Sequence, residues 1–433
     1  MQATKLSLPC NPSSSSQITS LLFEPISNTL ATMHTDSSIH LLPSLSPFST
    51  APPQSQTSIP PFCTSSTFFH LQSSPNSPSH TLFLVAGPKK ADSRIYLRFW
   101  ILEKSKNLFL KARLECNQRG FFIDDKKYGV LIDLCHGVCV KVVGSVNVFV
   151  LHSVSERKIW VFSAKVEEEE ESCVCVKLIK CGVIDCNVGI SEISVSFGFL
   201  VLGEVNGVRV FSVRQLVKGR VKRKEKRIGS GGSSYACLGN GNCRGNEPAE
   251  MSSDGCTGKT EMNNASAKLR ARTLKQDSAV FVAFDNLEAP TEKFSTIKAV
   301  SIHSLSQKKF IILDSVGDLH LLCLFSMLSG SEVTGHLRSL NHLIKVQMLA
   351  VLPDVSTSTQ TFWISDGFYS LHAISLSDME ASLNENDASE MEEKRVQISA
   401  IEAVFASEKI QNLIPLSANA VLILGQGQNC AFQ

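Results

Sequence analysis

The chain has 433 residues, of which 43% are hydrophobic and 19% charged, so it can bury a large core. Its 42 basic and 40 acidic residues leave a formal net charge of +2, which argues against a polycation that binds nucleic acid over its whole surface. No run of about 18 uncharged apolar residues occurs, and residues 1–12 lack the charged start and apolar block of a secretory signal. We therefore expect a soluble, unsecreted chain without membrane insertion.

Apolar runs of strand length recur along the chain and are rich in Val, Ile, Leu and Phe. Each run is followed by a polar turn and a second apolar run, whereas helical periodicity is almost absent. This pattern predicts an all-β chain. In chain order, representative runs are Ile18 to Phe23, Thr81 to Val85, Val146 to Leu151, Phe197 to Leu202, Phe310 to Leu313 and Ala420 to Leu424.

A short sequence unit recurs with these runs. An apolar strand leads into a turn that carries Asp, Asn, Ser or Gly, and an aliphatic marker residue then has another apolar residue three positions later. The pairs are Ile39 and Leu42, Leu97 and Trp100, Ile159 and Phe162, Val208 and Phe211, Leu319 and Leu322, and Leu371 and Ile374. A truncated last copy covers Gly425 to Phe432.

The spacing of the markers predicts the architecture. They are separated by 58, 62, 49, 111 and 52 residues, and the long interval contains a stretch of 59 residues, 218–276, that is rich in Gly, Ser, Lys and Arg and lacks an apolar pattern. When these 59 residues are removed, the interval of 111 residues becomes 52 and matches the others. We predict a seven-bladed β-propeller over residues 1–433, with a disordered basic insertion at 218–276 in the fourth blade. The N-terminal run Ala3–Leu8 is expected to supply the strand that closes the last blade.

One repeat carries a family resemblance. Residues 18–41 (ITSLLFEPISNTLATMHTDSSIHL) resemble the middle of a WD40 repeat, where an apolar strand, a turn with Pro, a second strand and an Asp-x-x-Ile turn follow one another. Glu156–Trp160 is similar to the same turn. No Trp-Asp dipeptide occurs, so the family's usual hydrogen-bond network is expected to be incomplete. The resemblance implies a WD40-like scaffold that binds other proteins through its loop rims and channel mouth.

The strongest local motif is a basic run at the start of the insertion, with seven basic side chains in ten residues. Such a run can bind a nuclear import receptor, which predicts a location in the nucleus, the cytoplasm or both. The alternative is a solvated loop. Direct nucleic-acid binding is disfavoured because no aromatic residue alternates with the cations. The candidate import residues are Lys218, Arg220, Lys222, Arg223, Lys224, Lys226 and Arg227.

Catalytic and metal-binding patterns are absent from the sequence. It lacks the nucleophile elbow, the zinc-protease motif and the dinucleotide fingerprint, and its close cysteine pairs lack the usual zinc spacing. His40, His320 and His372 each follow an aliphatic marker, which indicates a repeat feature. We expect no catalytic residue, metal or cofactor. Two alternatives to the scaffold stay open: a propeller enzyme with its site at the channel mouth, and a subunit of a trafficking complex.

Overall fold

β-Strands make up almost all of the described chain. The computed structural model describes residues 3–5, 16–45, 55–74, 76–89, 94–116, 118–124, 126, 128–134, 139–168, 174–218, 272–284, 296–326, 333–340, 342, 344–352, 359–378, 396–417, 420–426 and 429–432. Contacts between residues divide the chain into two units. The first consists of Met1–Gly219 and Ala271–Gln433. The second, Arg220–Arg270, lies outside the described residues. All strands below belong to the first unit.

The strands are short and alternate with tight turns. The first sixteen are β1 (Ala3–Lys5), β2 (Ile18–Glu24), β3 (Thr29–His34), β4 (Ile39–Leu42), β5 (Thr57–Ile59), β6 (Ser65–Leu71), β7 (His80–Pro88), β8 (Ile95–Glu103), β9 (Leu108–Lys111), β10 (Arg113–Glu115), β11 (Phe121–Ile123), β12 (Gly129–Ile132), β13 (Val140–Gly144), β14 (Val148–Ser153), β15 (Lys158–Glu168) and β16 (Val174–Asp185). Then come β17 (Glu192–Ser196), β18 (Phe199–Glu204), β19 (Gly207–Ser212), helix α1 (Val213–Lys218), β20 (Arg272–Lys275), a 3-10 turn (Gln276–Ser278) and β21 (Val280–Ala283). The last are β22 (Ala299–Ser304), β23 (Lys309–Asp314), β24 (Leu319–Ser326), β25 (Val333–Leu340), β26 (Met348–Val351), β27 (Thr359–Ser365), β28 (Ser370–Asp378), β29 (Val396–Phe405), β30 (Ile410–Ser417), β31 (Ala420–Gly425) and β32 (Asn429–Phe432).

These strands form seven sheets within the described residues, and we number the sheets along the chain. Sheets 1, 5 and 6 are antiparallel meanders of four consecutive strands, β2–β5, β22–β25 and β26–β29. Sheet 2 contains β6–β9, β11 and β12, and sheet 3 contains β13–β16 with β10 and β20. Sheet 4 contains β17–β19 and β21. In sheet 7, β30–β32 are joined by β1, which pairs antiparallel with β32 from Ala3 opposite Phe432.

The second strand of each sheet explains the strongest apolar runs of the sequence. In β14 and β31 every residue is buried, and in β23 only the first is not. A central strand that packs on sheets at both of its faces needs apolar side chains at odd and even positions, so its sequence is a continuous run and not an alternating one. The runs that include Val148–Leu151, Phe310–Leu313 and Ala420–Leu424 are such strands.

The predicted markers share one structural position. Each of the six aliphatic markers lies within the first three residues of the third strand of its sheet, in β4, β8, β15, β19, β24 or β28. All six are fully or almost fully buried. The period of the sequence is therefore the period of the sheets, because each repeat starts its third strand directly after the turn that carries its polar residues.

The cores lie between sheets and not inside one common centre. Of the seven clusters of buried apolar residues in the described chain, six join two sheets that follow each other in the sequence. The seventh contains Leu422 of sheet 7 and Leu30 of sheet 1. The first strands of neighbouring sheets also contact each other along β6, β13, β17, β22, β26, β30 and β2. This arrangement of meanders that pack side by side is a β-propeller, so the predicted all-β propeller class is confirmed.

The outer edge of β16 is covered by segments that enter from two directions. β10 pairs in parallel with its first half, and β20 pairs in parallel with its second half. Between them Gln118 acts in place of a strand, because its Oε1 accepts a 2.5 Å hydrogen bond from the Lys180 N–H and its Nε2 donates to the Lys180 carbonyl at 3.3 Å. The first half, the middle and the second half of this edge are thus each paired.

One end of the predicted insertion differs from the prediction. The stretch was expected to extend to Gln276, whereas Arg272–Lys275 forms β20 and the side chain of Gln276 is fully buried. The short segment has no period of its own, and it becomes a strand because it pairs with an existing sheet edge. Lys218, at the other end, is the last residue of α1, and residues 219–271 lie outside the described part of the chain.

Candidate interaction site at the channel mouth

The connections between strands define two ends of the sheets. In a meander, the turn between the second and third strands and the link to the next sheet lie at the same end, which we call the upper end. In sheets 1, 4, 5 and 6 the upper turns are residues 35–38, 205–206, 315–318 and 366–369. In a β-propeller the first strands line the centre, so we call the surface at the upper end of these strands the channel mouth.

Carboxylates fix the upper turns. Oδ1 of Asp314 accepts hydrogen bonds from the N–H groups of Val316, Gly317 and Asp318 at 2.8, 2.9 and 2.9 Å. Its Oδ2 lies 2.9 Å from Nε2 of His320, in a fully buried pair. The turns of sheets 1 and 6 are held in the same way, by Asp36 and Asp366. The upper turns of sheets 1, 5 and 6 are therefore each held by their own carboxylate.

The charge state of Asp314 follows from this geometry. Burial by itself would raise the pKa of Asp314, but hydrogen bonds from His320 and from the backbone of Asp318 and Val316 outweigh it and hold the pKa below its ordinary value. The carboxylate stays ionised at neutral pH and continues to organise the turn.

A cavity of about 270 Å³ opens at the channel mouth. Side chains from the first strands of sheets 5, 6 and 7 form most of its wall, and the neighbouring strands β22, β26 and β30 contact one another. The lining residues are Val300, Ser301, Leu313, Gln347, Met348, Leu349, Gln411, Asn412 and Leu413. None of these nine side chains titrates, and the polar ones are amides and a hydroxyl, which can both donate and accept hydrogen bonds.

The cavity continues into the upper turn of sheet 6. The N–H of Gln347 donates to the Ser365 carbonyl at 2.8 Å, and the Gln347 side chain lies against Gly367, where it leaves no room for a Cβ. Gly367 has a φ of 76°, in the left-handed region that favours glycine. The amide wall of the cavity is thus packed directly on the turn that carries Phe368 and Tyr369.

Three exposed aromatic side chains form what we call the aromatic patch. Phe368 is 50% exposed, Tyr369 51% and Phe405, at the end of β29, 75%. The following link to sheet 7 is fixed to this turn, because the N–H groups of Ala406 and Ile410 donate to the carbonyls of Tyr369 and Phe368, both at 2.8 Å. Nζ of Lys409 lies 5.2 Å from the centre of the Phe368 ring. The same link continues to Gln411 in the cavity wall, so patch and cavity form one surface.

Charged groups meet elsewhere on the first strands. Nζ of Lys141 in β13 lies 2.6 Å from both carboxylate oxygens of Glu192 in β17, across two sheets. Burial, reinforced by the positive charge of Lys141, lowers the pKa of His303 in β22 to about 4, so this imidazole is neutral at pH 7. Neither Lys141 nor Glu192 nor His303 lines the cavity. The enzyme alternative expects ionisable groups to converge on the mouth, and these three side chains are not part of the cavity wall.

The residues singled out in the sequence occupy different places. Of the basic run only Lys218 is described, at the end of α1, whereas Arg220, Lys222, Arg223, Lys224, Lys226 and Arg227 lie outside the described residues. His40, His320 and His372 each follow a marker in a third strand, and His40 packs its ring 4.5 Å from that of His34. Within the described chain, no group of three or more His, Cys, Asp or Glu side chains is placed to hold a metal ion. The described cysteines are free thiols and most are buried.

Sequence reasoning missed the residues that form the candidate site. Val300, Gln347 and Gln411 are far apart in the chain and meet only when three sheets pack side by side. The aromatic patch had a readable signal, because two adjacent aromatic residues directly after Asp366-Gly367 stand in a turn, where such side chains have no core to enter.

Comparisons with known proteins give likeness in fold only. No family model matches the chain, and no curated protein matches it. Among solved structures, U3-55K is 10% identical with a TM-score of 0.43 over 99% of this chain and 98% of that one. The β-propeller domain of Cps50 (Swd1) from Myceliophteria thermophila is 8% identical with a TM-score of 0.47 over 98% of both chains. The WD40 repeats of RRP9 are 9% identical with a TM-score of 0.42 over 99% of this chain and 96% of that one. None of the helices in the described part of the chain is long and apolar enough to cross a bilayer.

Proposed function

We propose that this chain is a non-catalytic scaffold that binds a peptide segment of a partner protein at the channel mouth. The observation that carries the proposal is the continuity of the aromatic patch with the cavity, through the link from Ala406 to Gln411. Exposed aromatic residues next to a concave polar site are the composition of a protein-binding surface.

The chemistry of the surface fits a peptide. Phe368, Tyr369 and Phe405 offer large apolar areas on side chains with few rotatable bonds, so little conformational entropy is lost when a partner covers them. The amides of Gln347, Gln411 and Asn412 can satisfy the N–H and C=O groups of a bound backbone. A wall without titratable groups suits binding better than acid–base chemistry.

The proposal includes a closed ring of seven blades. Its support is the set of seven sheets in the described residues, the apolar cluster between sheets 7 and 1, and the pairing of β1 with β32. A closed ring removes the exposed edges that two unjoined end blades would leave, and it holds the channel mouth at a fixed width.

We also propose that the basic run Lys218–Arg227 binds a nuclear import receptor. The run begins at Lys218, the last residue of α1, and α1 contacts β15 and β16, so the proposed signal starts from a fixed point of the propeller. A fluorescent fusion of the full chain is expected to enter the nucleus and to stay in the cytoplasm when all seven cations are replaced by serine. If both proteins have the same nuclear fraction, the run is only a solvated loop and the import proposal is rejected.

The scaffold proposal is tested with a triple variant, F368S/Y369S/F405S, in the full chain. Each aromatic anchor of an interface contributes about 2 kcal/mol or more, so partners that co-purify with the unchanged chain should be lost. The matched control is F325S, since Phe325 is 52% exposed at the opposite end of sheet 5. Quantitative mass spectrometry of the co-purified proteins makes the comparison, and circular dichroism shows that all chains are folded.

Two results would reject the proposal. One is an identical set of partners for the triple variant and the unchanged chain. The other is an equal loss of partners in the control F325S. This result would show that any exposed phenylalanine supports binding and that the channel mouth has no special role.

A further inference from the structure

A second group of aromatic residues lies on sheet 2, on the face turned toward sheet 1. It consists of Tyr96, Arg98 and Trp100 on β8, Phe122 on β11 and Phe62 in the link between the two sheets. We call it the arginine–aromatic cluster. It shares no residue with the channel-mouth site.

The register of the strands brings the cluster together. Phe122 is opposite Leu131, Leu131 is opposite Tyr96, and Tyr96 is opposite Gly87, so these positions share one face of the sheet. Arg98 and Trp100 follow Tyr96 at every second residue of β8 and lie on that face too. The Phe62 carbonyl approaches Gly87 so closely that a Cβ would have no room.

Arg98 is the centre of the cluster. Its guanidinium carbon lies 5.4 Å from the centre of the Trp100 ring and 5.9 Å from that of Tyr96, and its Nη2 lies 3.5 Å from Sγ of Cys63. The side chain is half-buried, and Trp100 is almost fully buried. Neither the two rings nor the thiol supplies a full negative charge to balance the guanidinium.

No carboxylate among the described residues pairs with Arg98. The nearest candidate in the cluster, Asp124, is already used, because it accepts hydrogen bonds from the Tyr96 hydroxyl and, at 2.8 Å, from the Tyr128 N–H. Burial and these contacts with Asp124 raise the pKa of Tyr96, so the phenol keeps its proton and adds no negative charge. A half-buried guanidinium that pairs with no described carboxylate has lost part of its hydration and gains from a direct contact with an anion.

The surroundings of Arg98 point to a peptide as the carrier of that anion. Phe62 and Phe122, on either side of Arg98, are 53% and 50% exposed. The guanidinium carbon of Arg94 lies 5.4 Å from the centre of the Phe122 ring. Phe62 also has a φ of 75°, in the left-handed region that phenylalanine avoids. Strain of this kind at an exposed aromatic residue is typical of recognition sites.

We infer that the arginine–aromatic cluster binds an acidic side chain of a partner peptide. The two carboxylate oxygens take the planar edge of the Arg98 guanidinium, and apolar neighbours of the acidic residue cover Phe62 and Phe122. Carboxylate and guanidinium match in shape and can form two parallel hydrogen bonds, which is why the site is specific for an acid and not for its amide.

The test uses an array of peptides of about 12 residues in which one Glu or Asp stands between aromatic or aliphatic residues, each beside its Gln or Asn counterpart. The full chain is compared with R98M, R98K and the control K104M, since Lys104 is exposed in the turn at the opposite end of β8. Thermal melts establish that each variant is folded. The dissociation constant of the strongest acidic peptide is then measured by fluorescence anisotropy.

We expect acidic peptides to bind and their amide counterparts to bind at least about tenfold more weakly, the difference that one charge-assisted contact makes. R98M should lose this preference, R98K should keep part of it, and K104M should behave as the unchanged chain. The inference is overturned if no acidic peptide binds, if acid and amide bind equally, or if folded R98M keeps the preference. It is also overturned if a single-stranded oligouridylate binds more tightly than every peptide.

Discussion

Gln276 donates a 2.6 Å hydrogen bond from Nε2 to Oε1 of Glu204, although 72 positions of the chain separate the two residues. Both side chains are buried. Glu204 also accepts hydrogen bonds from Nε and Nη2 of Arg209 at 2.6 and 3.1 Å, and Oε1 of Gln276 accepts the Val188 N–H at 2.9 Å. This network joins sheet 4 to the link from sheet 3 and to the segment after the insertion.

Replacing Gln276 should therefore destabilise the propeller. Gln276→Leu removes two hydrogen bonds and leaves the Val188 N–H without its partner, which costs about 1–3 kcal/mol of unfolding free energy. Urea unfolding followed by circular dichroism measures the loss. Thr273→Ala, at an exposed position of β20, is the control and should change the midpoint little.

The ion pair of the same network should be sensitive to the loss of one partner. Arg209→Met leaves a buried carboxylate at Glu204, and such a change costs about 3–5 kcal/mol. Adding Glu204→Gln to this variant removes the unpaired charge and should recover part of the loss. A double variant that is as unstable as the sum of the two single variants would show that the charges do not interact.

A buried histidine should make stability depend on pH. Burial, with a smaller effect of Lys141, lowers the pKa of His152 to about 4. Between its ordinary pKa and this value the unfolded chain takes up a proton that the folded chain excludes, so stability falls as the pH is lowered from about 6.5 to 4. For this one group the loss is on the order of 3 kcal/mol.

His152→Gln should flatten that dependence, whatever its effect at neutral pH. The measurement is the urea midpoint at several pH values between about 7 and 4.5. His303 titrates in the same direction, so part of the slope should stay. Thr273→Ala, at an exposed position of β20, removes no titratable group and should leave the slope as it is. An unchanged slope in His152→Gln would contradict the assignment.

The upper turn of sheet 5 should tolerate only glycine at its tightest point. Gly317 has a φ of 95°, and a Cβ there would lie 2.9 Å from the Val346 carbonyl oxygen. Gly317→Ala is expected to cost about 1–3 kcal/mol because it adds backbone strain and a contact with a backbone that cannot move away. The matched control is Gly189→Ala, where a Cβ meets nothing within 4 Å. Thermal melts of both variants make the comparison.

Residues 220–270, within the predicted insertion, should be dispensable for folding. The described elements on either side of them, α1 and β20, both contact β16. A chain in which residues 220–270 are replaced by a Gly-Ser linker of about ten residues should melt within a few degrees of the unchanged chain. A large drop in the melting temperature would show that the replaced residues stabilise the propeller.

The fold was predictable because its signal repeats. Val208 and Leu319 both lie at the start of a third strand, so the interval between them could be compared with the other intervals before any strand was known. β20 was not predictable, since a four-residue segment pairs only because β16 offers an edge. The cavity was hidden for a similar reason: Val300, Gln347 and Gln411 meet through the packing of three sheets.

The order of synthesis determines when the edge of β16 is covered. During synthesis, the second half of this edge has no partner from the moment Asp185 emerges until Arg272–Lys275 follows. At roughly 5–20 residues per second this interval lasts on the order of 5–20 s. For that period the nascent chain presents an open strand edge to chaperones and to neighbouring polypeptides, and a chain without residues 220–270 would cover this edge sooner.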